Sequence, residues 1–499
     1  MTAPVLPLSR LLPERQGLPD VAVHDLSMSS QSLAPGTAFV ALRGTRAHGL
    51  DFASQALEQG AVAVLWDEGN GEPQPDSRFV HVPQLRRRLP ELARRLFGAW
   101  PEERPLIAIT GTDGKTSVSH QVSAALTLLG LRCAVIGTLG VGTPETLSPT
   151  GHTTPDVVEL HRHLAELARA GFDAVALEAS SHALVQGRLD GLRPRVAVLT
   201  HLGRDHLDYH GSLAAYADAK ALLFRMPGLH AMVLNLDDEL GRRLQDEHCT
   251  RPGQPACWTY GQHEAPDLPG ARERHIQARN IDAFDQGLHF EVQVGPFQGH
   301  ISAPLFGVFQ VANLLATLGT LLALGQPPAR AFAALGAVRG VPGRMERFIQ
   351  AGGPVLVVDY AHTARALESV LLALRPHVVG RLWVVFGCGG NRDPGKRPVM
   401  GEVAARLSDA VIVTDDNPRD ESPAAIRRAV LDGCAGPAPV REIGDRAQAI
   451  RAAVAEAEAG DIVLIAGKGH ETTQTVAGVE HPFSDRELAL QLTGGGGPA

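Results

Sequence analysis

From about residue 105 onward, short apolar runs alternate with amphipathic stretches, and this alternation restricts the possible folds more than any other feature of the chain. PLIAIT, CAVIG, DAVALEAS, RVAVLTHL and AMVLNLD follow one another between about 105 and 240, with the helical stretch KTSVSHQVSAALTLLG after the first. Strand-like runs spaced by helical ones predict a mostly parallel sheet covered by helices. The rhythm returns after Pro342 in VLVVDY, LWVVFG, AVIVTD and IVLIAG, separated by stretches such as AAIRRAVLDG and AQAIRAAVAEAEAG. Residues 1–100 add two strand candidates, AFVAL and AVAVLW, around a Gly/His/Arg-rich loop. A chain of 499 residues is too long for one hydrophobic core. The expectation is an α/β protein of three domains, 1–100, 101–342 and 343–499, divided near PEERP and VPG. Residues 250 to 300 read as a loop and short-strand insertion.

Composition narrows the function classes. With 44% hydrophobic and 20% charged residues the chain reads as globular, and 46 basic against 54 acidic residues argue against a broad nucleic-acid-binding surface. Phosphate binding is therefore expected to be local. GVFQVANLLATLGTLLALG (307–325) is interrupted by Gln310, Asn313 and threonines, so it predicts a buried helix rather than a membrane span. The first twenty residues show no secretory signal. Five cysteines, at 133, 249, 257, 388 and 434, lack paired metal spacing, and their odd number argues against a disulfide framework. A reducing cytoplasm fits, and the terminal TGGGGPA reads as a flexible tail.

Polar clusters follow the strands, as DYAHT, FGCGGNRD, TDDNPRDE and AGKGHE in the later unit. Open α/β sheets bind ligands beyond the carboxyl ends of their strands, so these clusters are expected to converge. Upstream, ITGTDGKTS (109–117) follows a strand and opens a helix. Its glycines let backbone N–H groups approach phosphate oxygens, Lys115 supplies a positive charge, and Thr116 or Ser117 can reach magnesium. Ile109 stands where the usual pattern has glycine, so the segment alone fits either a nucleotide triphosphate loop or a plain turn; its strand-loop-helix setting favours the former. TDDNPRDE sets Arg419 among Asp415, Asp416, Asp420 and Glu421 on a segment stiffened by Pro418. It fits a solvated turn, or a site for a ligand carrying both charges.

Together these motifs resemble those of the Mur ligases, the ATP-dependent amide-forming enzymes of peptidoglycan precursor synthesis. After GTDGKTS come HTTPD (152–156), LEASSHALVQGRLD (177–190), HLGRDHLDYHGS (201–212), YADAK (216–220), PGRME (342–346), DYAHT (359–363), FGCGGNRDPGKRP (386–398) and AGKGHE (466–471). The resemblance covers all three regions. It points to the branch that extends UDP-N-acetylmuramoyl-L-alanyl-D-glutamate to a tripeptide, and it implies a central P-loop ATPase-like sheet, a Rossmann-like C-terminal domain, and an acyl phosphate made with ATP and Mg²⁺.

Residue by residue, the resemblance implies ATP contacts at Gly111, Thr112, Asp113, Gly114, Lys115, Thr116, Ser117, Asn235, Asn313, Arg344, Asp359 and His362. Lys115, Glu178, His206 and Lys220 would be catalytic. Thr116, Glu178 and His206 would hold Mg²⁺ with Lys220, the last as a carbamate, since carbamylation turns an ammonium into an anionic oxygen donor. Standing alone, His206 would read as structural and Lys220 as an exposed helical lysine. Thr153, Thr154, Ser180, Gln186 and Arg188, with Ser30, would contact the muramoyl dipeptide. Asp416, Asn417, Pro418 and Arg419 match the DNPR signature of the members that add meso-diaminopimelate, with Arg392, Gly467 and Glu471 as companions. A guanidinium there suits the distal carboxylate, and Glu471 or Asp416 the ammonium beside it; Asp420 and Glu421 are expected to be solvated.

The chain departs from the family pattern at Ser29-Ser30-Gln31, where Asp-Ser-Arg is usual, and at Asp113 and Gln310, where asparagine is usual. Ala364-Arg365 replaces a Pro-Asp after DYAHT. The rival readings are a lysine-adding member, a folylpolyglutamate synthase, and a nucleotide-dependent binding protein without turnover. The expected enzyme is a cytoplasmic monomer with no nucleic-acid partner and no membrane insertion.

Overall fold

The computed structural model describes residues 5–31, 33–44, 47–67, 76–249, 253–264, 271–349 and 352–494. Most of the segment read as a flexible tail, 495–499, lies outside the described residues. By backbone proximity the chain forms two compact units. One comprises Met1–Thr112, Gly130–Val198 and Leu202–Met232; the other comprises Asp113–Leu129, Leu199–His201 and Val233–Ala499.

Among the described residues, two larger sheets and a two-stranded pair, Leu6–Pro7 with Ala22–Val23, build the first unit. Asp25–Ser27, Thr37–Ala41, Ala63–Trp66 and Phe79–His81 pair in chain order, all parallel. Thr37–Ala41 is buried at every position, as a strand covered on both faces must be. Helix Leu85–Phe97 closes this sheet with Leu85, Leu89, Leu92 and Leu96, and the same core takes in Val157, Val158 and Ala165 of helix Val157–Arg169. In the larger sheet the strands run Thr146–Ser148, Gly140–Thr143, Cys133–Gly137, Ala174–Glu178, Leu106–Thr110, Val196–Leu199. Leu106–Thr110, first in the chain among these, thus sits inside the sheet, parallel to Ala174–Glu178. The turn that follows it opens beside the loop after Glu178, the placement in which doubly wound sheets bind ligands.

In the second unit, helix Lys115–Leu128 packs on helix Phe309–Ala323, the predicted buried helix. Buried side chains join them: Gln121 Nε2 donates to Gln310 Oε1 (3.3 Å), and Thr317 Oγ1 donates to Gln121 Oε1 (3.1 Å). The 250–300 region corrects the sequence reading. Its described part holds the long strands His275–Phe284, Gly287–Val294 and Phe297–Ala303, antiparallel to one another, with Ala256–Gly261 parallel to the first. The alternating burial of Gly287–Val294 suits a sheet with one wet face, a weaker signal than the continuous apolar runs elsewhere. A disulfide joins Cys249 to Cys257, contrary to the expectation from the odd cysteine count, leaving Cys133, Cys388 and Cys434 as thiols.

The C-terminal sheet runs Glu346–Ile349, Val355–Asp359, Ile462–Ala466, Leu382–Phe386, Ala410–Val413, Val440–Glu442, antiparallel only at its first pair. Its two faces carry separate cores, one lined by Val357, Leu371, Val384 and Leu464, the other by Leu356, Val385, Ile450 and Val463. Beneath the carboxyl ends lies a fully buried ion pair, in which Arg446 Nε and Nη2 donate to the Asp485 carboxylate at 2.8 and 2.7 Å. Burial costs both ions their hydration, so the pair is tolerated only while intact. Asp485→Ala leaves Arg446 buried without its partner and is expected to cost about 3–5 kcal/mol, read as a lowered urea midpoint.

Candidate active site

In the first unit, polar side chains gather around the end of strand Ala174–Glu178. Glu178 is fully buried; its Oε1 accepts from Thr138 N (3.0 Å) and its Oε2 from Thr138 Oγ1 (3.1 Å). Gly137 leaves the space this carboxylate fills, since a Cβ there would lie inside it. Thr138 Oγ1 is also 3.1 Å from Thr153 Oγ1. Thr154 Oγ1 donates to the Glu178 carbonyl (2.7 Å) and accepts from Ser180 N (3.1 Å). Arg188 donates to the Thr154 carbonyl (2.7 Å) and forks onto Gln186 Oε1 at 3.0 and 2.7 Å. Thr153, Thr154, Ser180, Gln186 and Arg188 thus form one bonded network with Glu178. Ser30 lies apart from it in the N-terminal sheet region, with its hydroxyl on Gln55 (3.2 Å).

Lys220 is buried, not the exposed lysine its helix alone suggests; its Nζ donates to the Gly111 carbonyl (2.7 Å) and lies 4.2 Å from the Tyr216 ring centre. Thr112 Oγ1 accepts from Gly203 N (2.9 Å) and lies 3.1 Å from Tyr216 OH. His206 adopts a left-handed backbone (φ 52°) before the short helix Leu207–His210, with Nε2 3.4 Å from Asp205. Its ring packs edge-on to His182 (4.8 Å), which also meets Tyr209 (4.2 Å) and His210 (5.4 Å). Burial first, then the neighbouring imidazoles, lower the pKa of both His182 and His210. Sequence reasoning missed this cluster, although HLDYHGS and SSHAL carry all its histidines.

In the second unit, helix Lys115–Leu128 begins directly after Gly114, which has no side chain to cap it. Its N-terminal end carries the positive end of the helix dipole and suits an anion. The Asp113 carbonyl accepts from Thr200 Oγ1 (2.6 Å), and Asn235 Nδ2 donates to the Thr200 carbonyl (2.8 Å). Asn313 Nδ2 donates to Gln310 Oε1 (2.9 Å), so the glutamine that departs from the family pattern holds the asparagine that keeps it. Ser117 is buried on the first turn.

The later loops gather in the same unit. Asp359 accepts from Met345 N and Ala361 N, both at 2.8 Å, while burial raises its pKa. Arg344 stacks on Tyr360 (4.7 Å), and His362 Nδ1 lies 2.8 Å from the Tyr360 carbonyl. Asn417 Nδ2 donates to Glu471 Oε2 (2.9 Å), and its Oδ1 accepts from Thr475 N (3.0 Å) and Lys468 Nζ (3.2 Å). Arg419, left-handed at φ 53°, donates through Nη1 to the Gly390 carbonyl (2.7 Å). A Cβ at Gly389 would meet Arg419 Nη1 at 2.9 Å and Arg392 Cγ at 3.9 Å, so both side chains pass close to this glycine. At Gly467 a Cβ would stand 3.7 Å from Asp416.

The acidic residues around DNPR are engaged; Asp420 is exposed as expected, while the Arg397 contact to Glu421 corrects the expectation that Glu421 is solvated. Glu421 accepts from buried Arg397 at 2.9 Å on both oxygens, Asp420 accepts from Asn391 (2.8 Å), and Asp415 pairs with Arg427. Among the described residues no group of three or more His, Cys, Asp or Glu side chains is arranged to hold a metal. Gly114 sits at φ 83°, and a Cβ there would come 2.5 Å from Asn313 Oδ1. Gly114→Ala is therefore expected to cost about 1–2 kcal/mol from backbone strain alone, visible as a lower melting temperature; an unchanged melt would mean that the turn relaxes freely.

Three family models match in order along the chain: "Mur ligase family, catalytic domain" over residues 22–96, "Mur ligase middle domain" over 109–321, and "Mur ligase, glutamate ligase domain" over 343–469. The chain is 46% identical over 488 residues to UDP-N-acetylmuramoyl-L-alanyl-D-glutamate--2,6-diaminopimelate ligase of Alkalilimnicola ehrlichii, with 95% of each chain covered. To the protein of the same name from Pseudomonas aeruginosa it is 45% identical over 484 residues, with 97% of each covered. A solved structure of a protein of that name matches with a TM-score of 0.71 at 35% identity, over 98% of this chain and 99% of the other. With its three regions matched in sequence order and its near-full-length relatives at this identity, the chain belongs to the Mur ligase family.

Proposed function

We propose that this protein joins meso-2,6-diaminopimelate to the D-glutamate of UDP-N-acetylmuramoyl-L-alanyl-D-glutamate, converting ATP to ADP and phosphate, in peptidoglycan precursor synthesis. The observation that supports the choice of amino acid is the cluster beyond the C-terminal sheet, where Arg419 and Arg392 both pass close to Gly389 and Asn417 is bonded to Glu471. The distal carbon of diaminopimelate bears a carboxylate and an ammonium, which call for a guanidinium and an acceptor respectively. Lysine has only the ammonium and would leave the guanidinium without a counterpart. The relatives named above carry the diaminopimelate activity in their names.

Amide formation from a carboxylate is uphill in water, so the carboxylate must first gain a leaving group. A glutamate carboxylate oxygen bonds to the γ-phosphorus of ATP, the bond to the β-phosphate oxygen breaks, and ADP leaves. The diaminopimelate amine, having lost a proton, then bonds to the acyl carbon and phosphate departs. The first step brings two anions together and the second builds negative charge on the acyl oxygen, so the protein's part is positioning and neutralisation. Gly111, Thr112, Asp113, Gly114, Lys115, Thr116 and Ser117 would cradle the phosphates, with Lys115 compensating charge. Asn235, Asn313, Arg344, Asp359 and His362 would complete the nucleotide contacts. The network of Thr153, Thr154, Ser180, Gln186 and Arg188, with Ser30, would take the muramoyl dipeptide.

Magnesium, when bound, would neutralise the phosphate and carboxylate charges. The buried Glu178 carboxylate and the Thr116 hydroxyl fit its preference for oxygen. A magnesium ion held largely by phosphates and water needs few protein ligands, in keeping with the sparse set here. His206 would be a further ligand. Lys220 as an ammonium does not fit; addition of its neutral amine to CO₂, with loss of a proton, would give a carbamate with the required anionic oxygens. The proposed division of labour is 1–100 for the UDP-muramoyl substrate, 101–342 for ATP and 343–499 for the amino acid, supported by the order of the three family models. No described helix is long and apolar enough to cross a membrane, and we place the enzyme in the cytoplasm as a monomer.

Phosphate release from ATP with the muramoyl dipeptide should require diaminopimelate and be weak with lysine or no amine. Equal release with all three would remove the proposal. Arg419→Ala should raise KM for diaminopimelate by about tenfold or more while leaving KM for ATP nearly unchanged; parallel changes in both would count against its assignment. Glu178→Gln should raise the Mg²⁺ concentration needed for half-maximal rate, and an unmoved Mg²⁺ dependence would exclude Glu178 as a ligand.

A further inference from the structure

Between the two glycines of AGKGHE lies Lys468, a lysine with no solvent exposure. Its Nζ donates to Glu471 Oε2 (3.1 Å) and Asn417 Oδ1 (3.2 Å), and stands 3.9 Å from Asp416 Oδ1. That Asp416 oxygen has no hydrogen-bond partner among the described residues. Burial raises the Asp416 pKa, against which Arg446 and then Lys468 act to keep it ionised. Arg446 is committed to Asp485 as a buried neutral pair. The charged side chains then left among the residues assigned to this site are Asp416 and Glu471 against Lys468, Arg419 and Arg392.

We propose that Lys468 is a specificity-determining residue: its buried ammonium cancels one of the two carboxylate charges, so that the pocket is electrically matched to a zwitterionic amino-acid terminus and mismatched to a purely cationic one. This rests on the ligase reading above. Without Lys468 the site loses one positive charge against its two carboxylates, and that change favours a bare ammonium. The same lysine fixes the amide of Asn417, whose Oδ1 it occupies, so that Nδ2 points to Glu471. A residue that merely braced the fold would alter stability without altering which amine is chosen. Selection by charge is expected to be steep here because Lys468 and Asp416 are desolvated.

The test compares kcat/KM for diaminopimelate and for lysine in the full-length enzyme and in Lys468→Met, Lys468→Gln and Lys468→Arg, each checked by thermal melting. The diaminopimelate-to-lysine ratio should fall by about tenfold or more in the two neutral variants, be largely retained in Lys468→Arg, and do so with KM for ATP little changed. An unchanged ratio in the neutral variants overturns the proposal, whatever happens to overall rate. Should neither neutral variant fold, Asn417→Asp supplies the deciding arm: it adds a negative charge against the same ammonium and must move the ratio in the same direction, and an unmoved ratio again overturns the proposal. If the unaltered enzyme shows no amine-dependent phosphate release, the ligase reading itself fails; if it does and only the ratios stay fixed, the role of Lys468 alone is lost.

Discussion

A parallel strand buried on both faces can offer chemistry only where it ends. Leu106–Thr110, Ala174–Glu178, Val355–Asp359 and Ile462–Ala466 are covered at nearly every position, so their side chains are spent on packing. Reactive groups are displaced to the turns beyond them. Glu178 and Asp359 occupy the last position of their strands, and Gly111, Tyr360 and Gly467 the first position after. The cores set the strands, and the strands fix the loops that carry Lys115, Arg344 and Lys468.

Close approach of these loops explains their glycines better than flexibility does. Gly114 makes room for Asn313, and a Cβ at Gly390 would run into the carbonyl of Pro418. The FGCGG and DNPR segments are thus paired backbone to backbone, with Gly390 N donating to the Asn417 carbonyl (2.9 Å). Charge follows the same logic: Arg397, Arg427 and Asn391 engage the acids around Arg419 and leave its guanidinium on the Gly390 carbonyl.

Much of this was legible in the sequence, because continuous apolar runs such as LWVVF and IVLIA can be little other than buried strands. The network of Thr153, Thr154, Ser180, Gln186 and Arg188 was also named from motifs, although no periodicity alone would assemble it. What escaped notice depends on partners distant in the chain. Glu421 looks solvated until Arg397, 24 residues away, is seen against it. Lys468 meets Asn417 across 51 residues; its only local signal is a lysine set between glycines directly after a wholly apolar strand. The length of the strands between 275 and 303 was underestimated because exposure on one face dilutes their apolar content, and the Cys249–Cys257 pairing was missed because a count says nothing of proximity.

The tethering of the DNPR segment bears on when selection occurs. With Arg397 gripping Glu421, Asn391 holding Asp420, and Thr475 N and the Arg419 N–H bonded across to neighbouring backbone and side chains, the segment is tethered without a ligand, as the proposed amino-acid site would require. A guest then sheds hydration without having to freeze a wandering loop. On the proposed reading of this site, an ill-suited amine would be turned away at first encounter by an arrangement of dipoles and ions already in place.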